Sequence, residues 1–133
     1  MSFRKAEGTK IEDSAPVRAS AELVIEASPD VVWSTLADIG SWPDWNPDVE
    51  RANPESALAA GTRFSWRAGG MNIESRLEQV SRPDVLAWSG ATLGVRAVHV
   101  SRFERRDGGT LATTEESFSG PLPWLFRGRL TKM

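Results

Sequence analysis

The stretch SPDVVWSTLADIGSWPDWNPDV, at residues 28–49, constrains the fold more than any other part of the chain. Its first residue, Ser28, can cap a helix that begins at Pro29, because the first helical position needs no N–H donor. Apolar residues then recur at helical spacing, and Gly40 is the residue type that commonly ends a helix. A shorter helical turn that carries two tryptophans follows. The stretch therefore predicts two short helices in succession.

Strands with alternating apolar and polar residues are predicted before and after these helices. The first strand covers 19–26, where Val and Ile favour the extended state. Further strands are predicted at 48–53, 62–68, 71–80, 85–90, 95–106 and 111–119. Gly69-Gly70 and Gly108-Gly109 are each predicted to form a two-residue hairpin turn. The expected fold class is α+β, with about seven antiparallel strands.

The chain of 133 residues fits one domain with a modest core. Residues 1–19 are polar, mixed in charge and without period, which is typical of a flexible arm. We therefore predict an N-terminal arm at 1–19 and one folded domain at 20–133. At the end of that domain, Pro121 can open a helix of about 20 Å that runs to Met133.

Charge and composition limit the partners and the chemistry. With 16 Lys and Arg against 18 Asp and Glu, the net charge is −2, so we expect no nucleic acid or anionic membrane as a partner. No apolar run could span a bilayer, so we expect a cytoplasmic protein without integral membrane association. Cysteine is absent, which excludes disulfides and thiolate zinc sites. The sequence contains no metal-ligating residues at a spacing known from metal sites and no phosphate-binding loop, so we expect neither a metal nor a cofactor.

Three pieces of the sequence resemble one known superfamily: the stretch at 28–49, GTRFSW at 61–66 and TTEESFSGPL at 113–122. The chain resembles the START-related helix-grip superfamily (SRPBCC), and within it the small bacterial polyketide cyclase/dehydrase-type proteins. The resemblance covers about Ala19 to the end of the chain. It implies a curved antiparallel sheet that grips a C-terminal helix, with a cavity between them for an apolar small molecule or lipid.

The C-terminal helix departs from the pattern that the resemblance implies. Members of the superfamily carry a much longer terminal helix, so the helix at 121–133 looks shortened. A short helix would leave a tryptophan-lined sheet uncovered, and a large exposed apolar patch drives association. We therefore predict a homodimer or an exchanged C-terminal helix.

His99, the single histidine, lies in the middle of the longest predicted strand. With a two-residue loop at Gly108-Gly109, Ser101 would face Glu116 and His99 would face Phe118. His99 and Glu116 would then lie diagonally on one face, within reach of a hydrogen bond. A carboxylate beside an imidazole in an apolar pocket can act as a general acid/base pair, so these two are the candidate catalytic residues. Alternatively, the two side chains only satisfy each other in a binding wall.

The candidate ligand-binding residues are expected to line the cavity between sheet and helix. They are Phe64, Trp66, Ile73, Leu86, Trp88, Ser101, Phe103 and Phe118. Ordinary core packing is the alternative for the apolar members, and the hollow architecture that the resemblance implies favours the cavity. Trp33, Trp42 and Trp45 are better explained by packing between the short helices and the sheet.

Three functions stay open from the sequence. The first is binding of an apolar or aromatic small molecule, such as a lipid or a polyketide-like chain, without chemistry. The second is a cyclase/dehydrase-type enzyme in which His99 and Glu116 move protons on the bound chain. The third is an interaction protein whose apolar groove accepts a helix from another chain.

Overall fold

A computed structural model of the protein describes residues 17–119. Seven strands form one antiparallel sheet in the spatial order β1-β7-β6-β5-β4-β3-β2. The strands are β1 (Val17–Ile25), β2 (Val49–Pro54), β3 (Arg63–Ala68), β4 (Met71–Ser81), β5 (Val85–Thr92), β6 (Val95–Arg106) and β7 (Gly109–Ser119). Helix α1 (Pro29–Ala37), a 3₁₀ turn (Ile39–Ser41) and helix α2 (Trp42–Trp45) connect β1 to β2. The curved sheet with two short helices confirms the predicted α+β helix-grip fold.

Helix α1 begins as predicted and ends earlier than predicted. The Ser28 hydroxyl accepts a hydrogen bond from the backbone N–H of Val31 at 3.3 Å, which caps the helix before Pro29. The chain leaves the helix at Asp38, whose φ is −80° and ψ is 72°. Gly40 lies in the 3₁₀ turn and does not adopt a positive φ. The predicted end at Gly40 is therefore wrong, because Asp38 turns the chain without a left-handed residue.

The first predicted hairpin turn is confirmed. Gly69 and Gly70 have φ values of 56° and 78°, and the flanking residues Ala68 and Met71 face each other across β3 and β4. Positive φ at both central positions is the geometry of the hairpin turn that favours glycine.

The second predicted hairpin turn is placed one residue too late. Asp107 and Gly108 are the two turn residues, with φ values of 47° and 82°, and Arg106 faces Gly109 across β6 and β7. Asp-Gly suits this turn type as well as Gly-Gly does. Gly109 has a different reason to be glycine, since a Cβ there would clash with the backbone carbonyl of Ile25 in β1.

The ends of the predicted domain fall partly outside the described residues. Strand β1 begins at Val17, so residues 17–19 pair with β7 instead of belonging to the predicted arm. The rest of the arm, and the helix predicted from Pro121, lie outside residues 17–119. Within that range, no helix is long and apolar enough to cross a membrane.

The hydrophobic core lies where α1 and α2 pack on the sheet. Trp33 and Trp42 are 2% and 3% exposed, and their indole N–H groups donate to the backbone carbonyls of Val85 and Leu36 at 2.9 Å and 2.8 Å. The predicted packing role is confirmed for these two tryptophans. It is wrong for Trp45, which is the last residue of α2 and is 47% exposed.

Candidate functional site

A cavity of about 700 Å³ lies between the sheet and the two helices. Its apolar wall includes Trp42, Trp66, Ile73, Trp88, Phe103 and Phe118. Its polar wall includes Ser75, His99, Ser101, Thr114 and Glu116. The alternation along each strand explains this placement, because every second side chain of a strand points to the same face of the sheet.

Six of the eight predicted ligand-binding residues line the cavity. They are Trp66, Ile73, Trp88, Ser101, Phe103 and Phe118, and both candidate catalytic residues line it as well. The structure corrects the placement of Phe64 and Leu86, which are 0% exposed and belong to the hydrophobic core. Trp42 packs edge-on against Phe64 with ring centroids 5.6 Å apart. Strand alternation cannot reveal that a helix covers part of the face.

Trp42 was expected only to pack, and it also forms part of the aromatic wall. Its ring lies 5.2 Å from that of Trp66 and 5.1 Å from that of Trp88, measured between centroids. The Trp66 indole N–H donates to the Ser75 hydroxyl at 3.0 Å, which satisfies this donor in an apolar setting. The spacing of Trp42 in the sequence gave no signal of this contact, because it depends on how α2 docks on the sheet.

A row of three facing residues crosses the cavity wall on adjacent strands. Trp88 of β5 faces His99 of β6, and His99 faces Glu116 of β7. The Trp88 and His99 rings are stacked, with centroids 4.1 Å apart and planes inclined by 8°. On its other side, His99 Nδ1 lies 2.9 Å from Glu116 Oε1. The imidazole is therefore held by a ring face and by a carboxylate.

The register that brings His99 and Glu116 together differs from the predicted one. The prediction placed His99 opposite Phe118, which is wrong because the turn residues are Asp107 and Gly108. The register moves by two residues, and such a shift keeps every side chain on its face of the sheet. The observed pairing places the imidazole directly opposite the carboxylate rather than on the diagonal.

Two hydroxyl groups extend this polar row. His99 Nε2 lies 3.2 Å from Ser101 Oγ, and Ser101 Oγ lies 3.4 Å from Thr114 Oγ1. When Glu116 is ionised, its oxygens only accept, so Nδ1 carries the imidazole proton and Nε2 can accept from the Ser101 hydroxyl. The arrangement can therefore move a proton between a hydroxyl in the cavity and the imidazole.

The opposite face of β6 and β7 carries two ion pairs. Arg102 and Glu115 are 2.8 Å apart, and Arg106 and Glu104 are 3.4 Å apart. This face is not fully solvated, since Val100 is fully buried and Arg102 and Glu115 are mostly buried. Both ion pairs lie away from the residues that line the cavity.

Exposed apolar side chains mark the mouth of the cavity. Leu23 of β1, Val31 of α1 and Trp45 of α2 line the cavity and are 63%, 55% and 47% exposed. An apolar molecule could enter past these side chains, and the exposed residues Glu22 and Asp48 also line the cavity. Among the described residues, no group of three or more His, Asp or Glu side chains could hold a metal ion.

Residues 16–132 match the sequence model of one protein family, which is described as "Polyketide cyclase / dehydrase and lipid transport". This match spans most of the chain. No protein with a curated description matches the sequence.

Several solved structures are similar in fold. Hypothetical protein jhp0584 from Helicobacter pylori is 21% identical with a TM-score of 0.75, over 90% of this chain and 82% of that one. Ara h 8.0201 is 14% identical with a TM-score of 0.71, over 86% and 87% of the two chains. StfQ, a di-domain ARO/CYC from the steffimycin biosynthetic pathway, is 16% identical with a TM-score of 0.70, over 87% of this chain and 43% of its own. At these identities the likeness shows a shared fold.

Proposed function

Because this chain belongs to the polyketide cyclase/dehydrase and lipid transport family, we propose that it binds an apolar or aromatic small molecule in the cavity between sheet and helices. The observation that carries the proposal is a cavity of about 700 Å³ whose aromatic side chains lie beside a short polar row, with Trp88 stacked on His99. Small-molecule sites typically have volumes of about 300–1,000 Å³, mostly apolar walls and a few polar groups that orient the ligand.

The two walls indicate the chemistry of the ligand. Trp42, Trp66 and Trp88 offer large ring surfaces, which favour a flat or ring-containing molecule. Burial of about 300 Å² of apolar ligand surface would contribute about 7 kcal/mol before the cost of immobilising the ligand. The polar row of His99 and Glu116 suits a hydroxyl or keto group at one end of the ligand. A lipid or polyketide-like chain with one oxygenated end fits both walls.

A titration with the uncharged fluorescent probe N-phenyl-1-naphthylamine tests the binding proposal. We expect the probe's fluorescence to rise saturably with the wild-type protein, because the probe leaves water for an aromatic cavity. The Trp88→Ala variant should bind more weakly, whereas Leu58→Ala should match the wild type, since Leu58 is exposed and does not line the cavity. Equal affinities for all three proteins, or no saturable rise, would contradict the proposal.

The second candidate function is proton transfer on the bound molecule by His99 and Glu116. The 2.9 Å contact between Nδ1 and Oε1 on the cavity wall favours it, because a carboxylate that orients the imidazole through Nδ1 leaves Nε2, which contacts the Ser101 hydroxyl, to take or give a proton. In a cyclase/dehydrase-type reaction, His99 would remove a proton beside a keto group or protonate a departing hydroxyl. A His99→Ala variant that keeps probe affinity and loses turnover of a polyketide-like chain would support this function, and unchanged turnover would contradict it.

A further inference from the structure

The acid–base pair leaves the Ser101 hydroxyl, which lies on the cavity wall, without a role. Ser101 Oγ lies 3.2 Å from Nε2 of His99, on the side of the ring away from Glu116. The His99 imidazole therefore contacts the Ser101 hydroxyl through one ring nitrogen and the Glu116 carboxylate through the other. We propose that Ser101 is a nucleophile, activated by His99 and Glu116, that accepts the acyl group of an activated ester or thioester and passes it to water.

The contacts of the three side chains match the roles that an activated nucleophile, its base and the group that orients the base must fill. A hydroxyl becomes a useful nucleophile when an adjacent base can take its proton and a third group orients that base. His99 is the base, and Glu116 orients it through Nδ1 at 2.9 Å. The stacked Trp88 ring, 4.1 Å away, limits rotation of the imidazole. All three members belong to adjacent strands of the sheet, which hold them in fixed register.

Access to the hydroxyl runs through the cavity. Ser101 lines the cavity although it is only 2% exposed. An ester must therefore enter the cavity to reach Ser101, so this proposal rests on the proposed function. The apolar wall would hold the acyl chain, which restricts the substrates to apolar acyl groups.

The reaction proceeds in two balanced steps. Ser101 Oγ attacks the carbonyl carbon, and its proton passes to His99 Nε2 while Glu116 stabilises the imidazolium through Nδ1–H. The C–O bond of the ester, or the C–S bond of the thioester, breaks. The leaving group departs with the bonding electron pair and takes the proton from His99 Nε2, so it leaves as an alcohol or a thiol and the imidazole is neutral again. A water molecule then gives a proton to His99 Nε2 and attacks the acyl-Ser101 ester. The carboxylic acid leaves, and Ser101 regains its proton from His99.

The surroundings of Ser101 limit the reaction to activated substrates. The oxyanion formed on attack needs hydrogen-bond donors, and each good donor contributes about 10²–10³-fold to the rate. Ser101 pairs with Thr114 in the sheet, so its backbone groups take part in strand pairing and do not act as donors to the oxyanion. The Thr114 hydroxyl, 3.4 Å from Ser101 Oγ, can supply one donor. Aryl esters and thioesters, whose leaving groups depart readily, are therefore the expected class.

Hydrolysis of p-nitrophenyl hexanoate by the full chain tests the proposal. We expect release of p-nitrophenolate above the buffer rate. Ser101→Ala should lower the rate of release by about 100-fold or more, because His99 then has no hydroxyl to activate and activation by a positioned base contributes about 10²–10⁴-fold. Ser89→Ala is the matched control. Ser89 donates to the Glu78 carboxylate at 2.7 Å in the same sheet and does not line the cavity, so its loss should leave the rate unchanged.

Labelling of the wild-type protein with a fluorophosphonate gives a second readout that does not depend on the folding of any variant. We expect one adduct, which peptide mapping assigns to Ser101. A label on another residue, or a Ser101→Ala rate equal to that of the wild type, would overturn the proposal. Saturable binding of N-phenyl-1-naphthylamine with no ester turnover and no label would overturn the nucleophile and leave the binding function standing. Absence of binding, turnover and label together would overturn both.

Discussion

Replacement of Trp42 by alanine should destabilise the protein far more than the same replacement at Trp45. Both residues belong to α2, three positions apart, but Trp42 is 3% exposed and Trp45 is 47% exposed. The loss of about 150 Å² of buried ring surface at Trp42 costs about 4 kcal/mol in the free energy of unfolding. The lost hydrogen bond to the Leu36 carbonyl adds about 1 kcal/mol.

The expected difference between the two variants is large enough to measure. Trp45 keeps about half of its surface in water, so Trp45→Ala should cost at most about 2 kcal/mol. Urea unfolding monitored by circular dichroism would give both free energies, with slopes that report whether the unfolded states are comparable. A cost for Trp45→Ala within 1 kcal/mol of that for Trp42→Ala would refute the assignment of Trp42 to the core and Trp45 to the mouth of the cavity.

Three further predictions concern the close approach of Gly109 to β1, the cavity and the assembly. Gly109→Ala should destabilise the protein by about 2 kcal/mol or more in urea unfolding, because its Cβ would meet the Ile25 carbonyl; a change below about 0.5 kcal/mol would contradict the observed strand approach. Ala97→Trp should weaken binding of N-phenyl-1-naphthylamine by about tenfold or more, since Ala97 lines the cavity and a ring there would fill it; unchanged affinity in a folded variant would place the probe elsewhere. Light scattering at high concentration should give the mass of a dimer, as the homodimer prediction requires, and a monomer of 14.6 kDa would count against it.

The sequence was sufficient to predict the strands and their faces. Side chains alternate along each strand, so His99, Ser101 and Glu116 could be assigned to one face before their contacts were known. The predicted turn at Gly108-Gly109 was wrong, yet the true turn at Asp107-Gly108 moves the register by two residues and preserves that face. The assignment of side chains to the faces of the sheet is therefore unaffected by this error, whereas the predicted cross-strand pairs are wrong.

Contacts that depend on helix docking could not be read from the sequence. Phe64 has the same alternation pattern as Trp66, yet Phe64 is fully buried in the core and Trp66 lines the cavity. Trp45 has the helical spacing of a packed residue, but α2 ends there and the side chain reaches the mouth of the cavity. The Ser101 contact with His99 Nε2 depends on the orientation of the ring, which Trp88 and Glu116 hold in place.

The most direct test of the binding function is native mass spectrometry of gently purified protein. The proposal predicts a bound species of small mass that is apolar, is released on unfolding and is absent from Ala97→Trp purified in the same way. Wild-type protein that carries no small molecule, and that also gives no saturable fluorescence rise with N-phenyl-1-naphthylamine, would contradict the assignment of the 700 Å³ cavity as a ligand site.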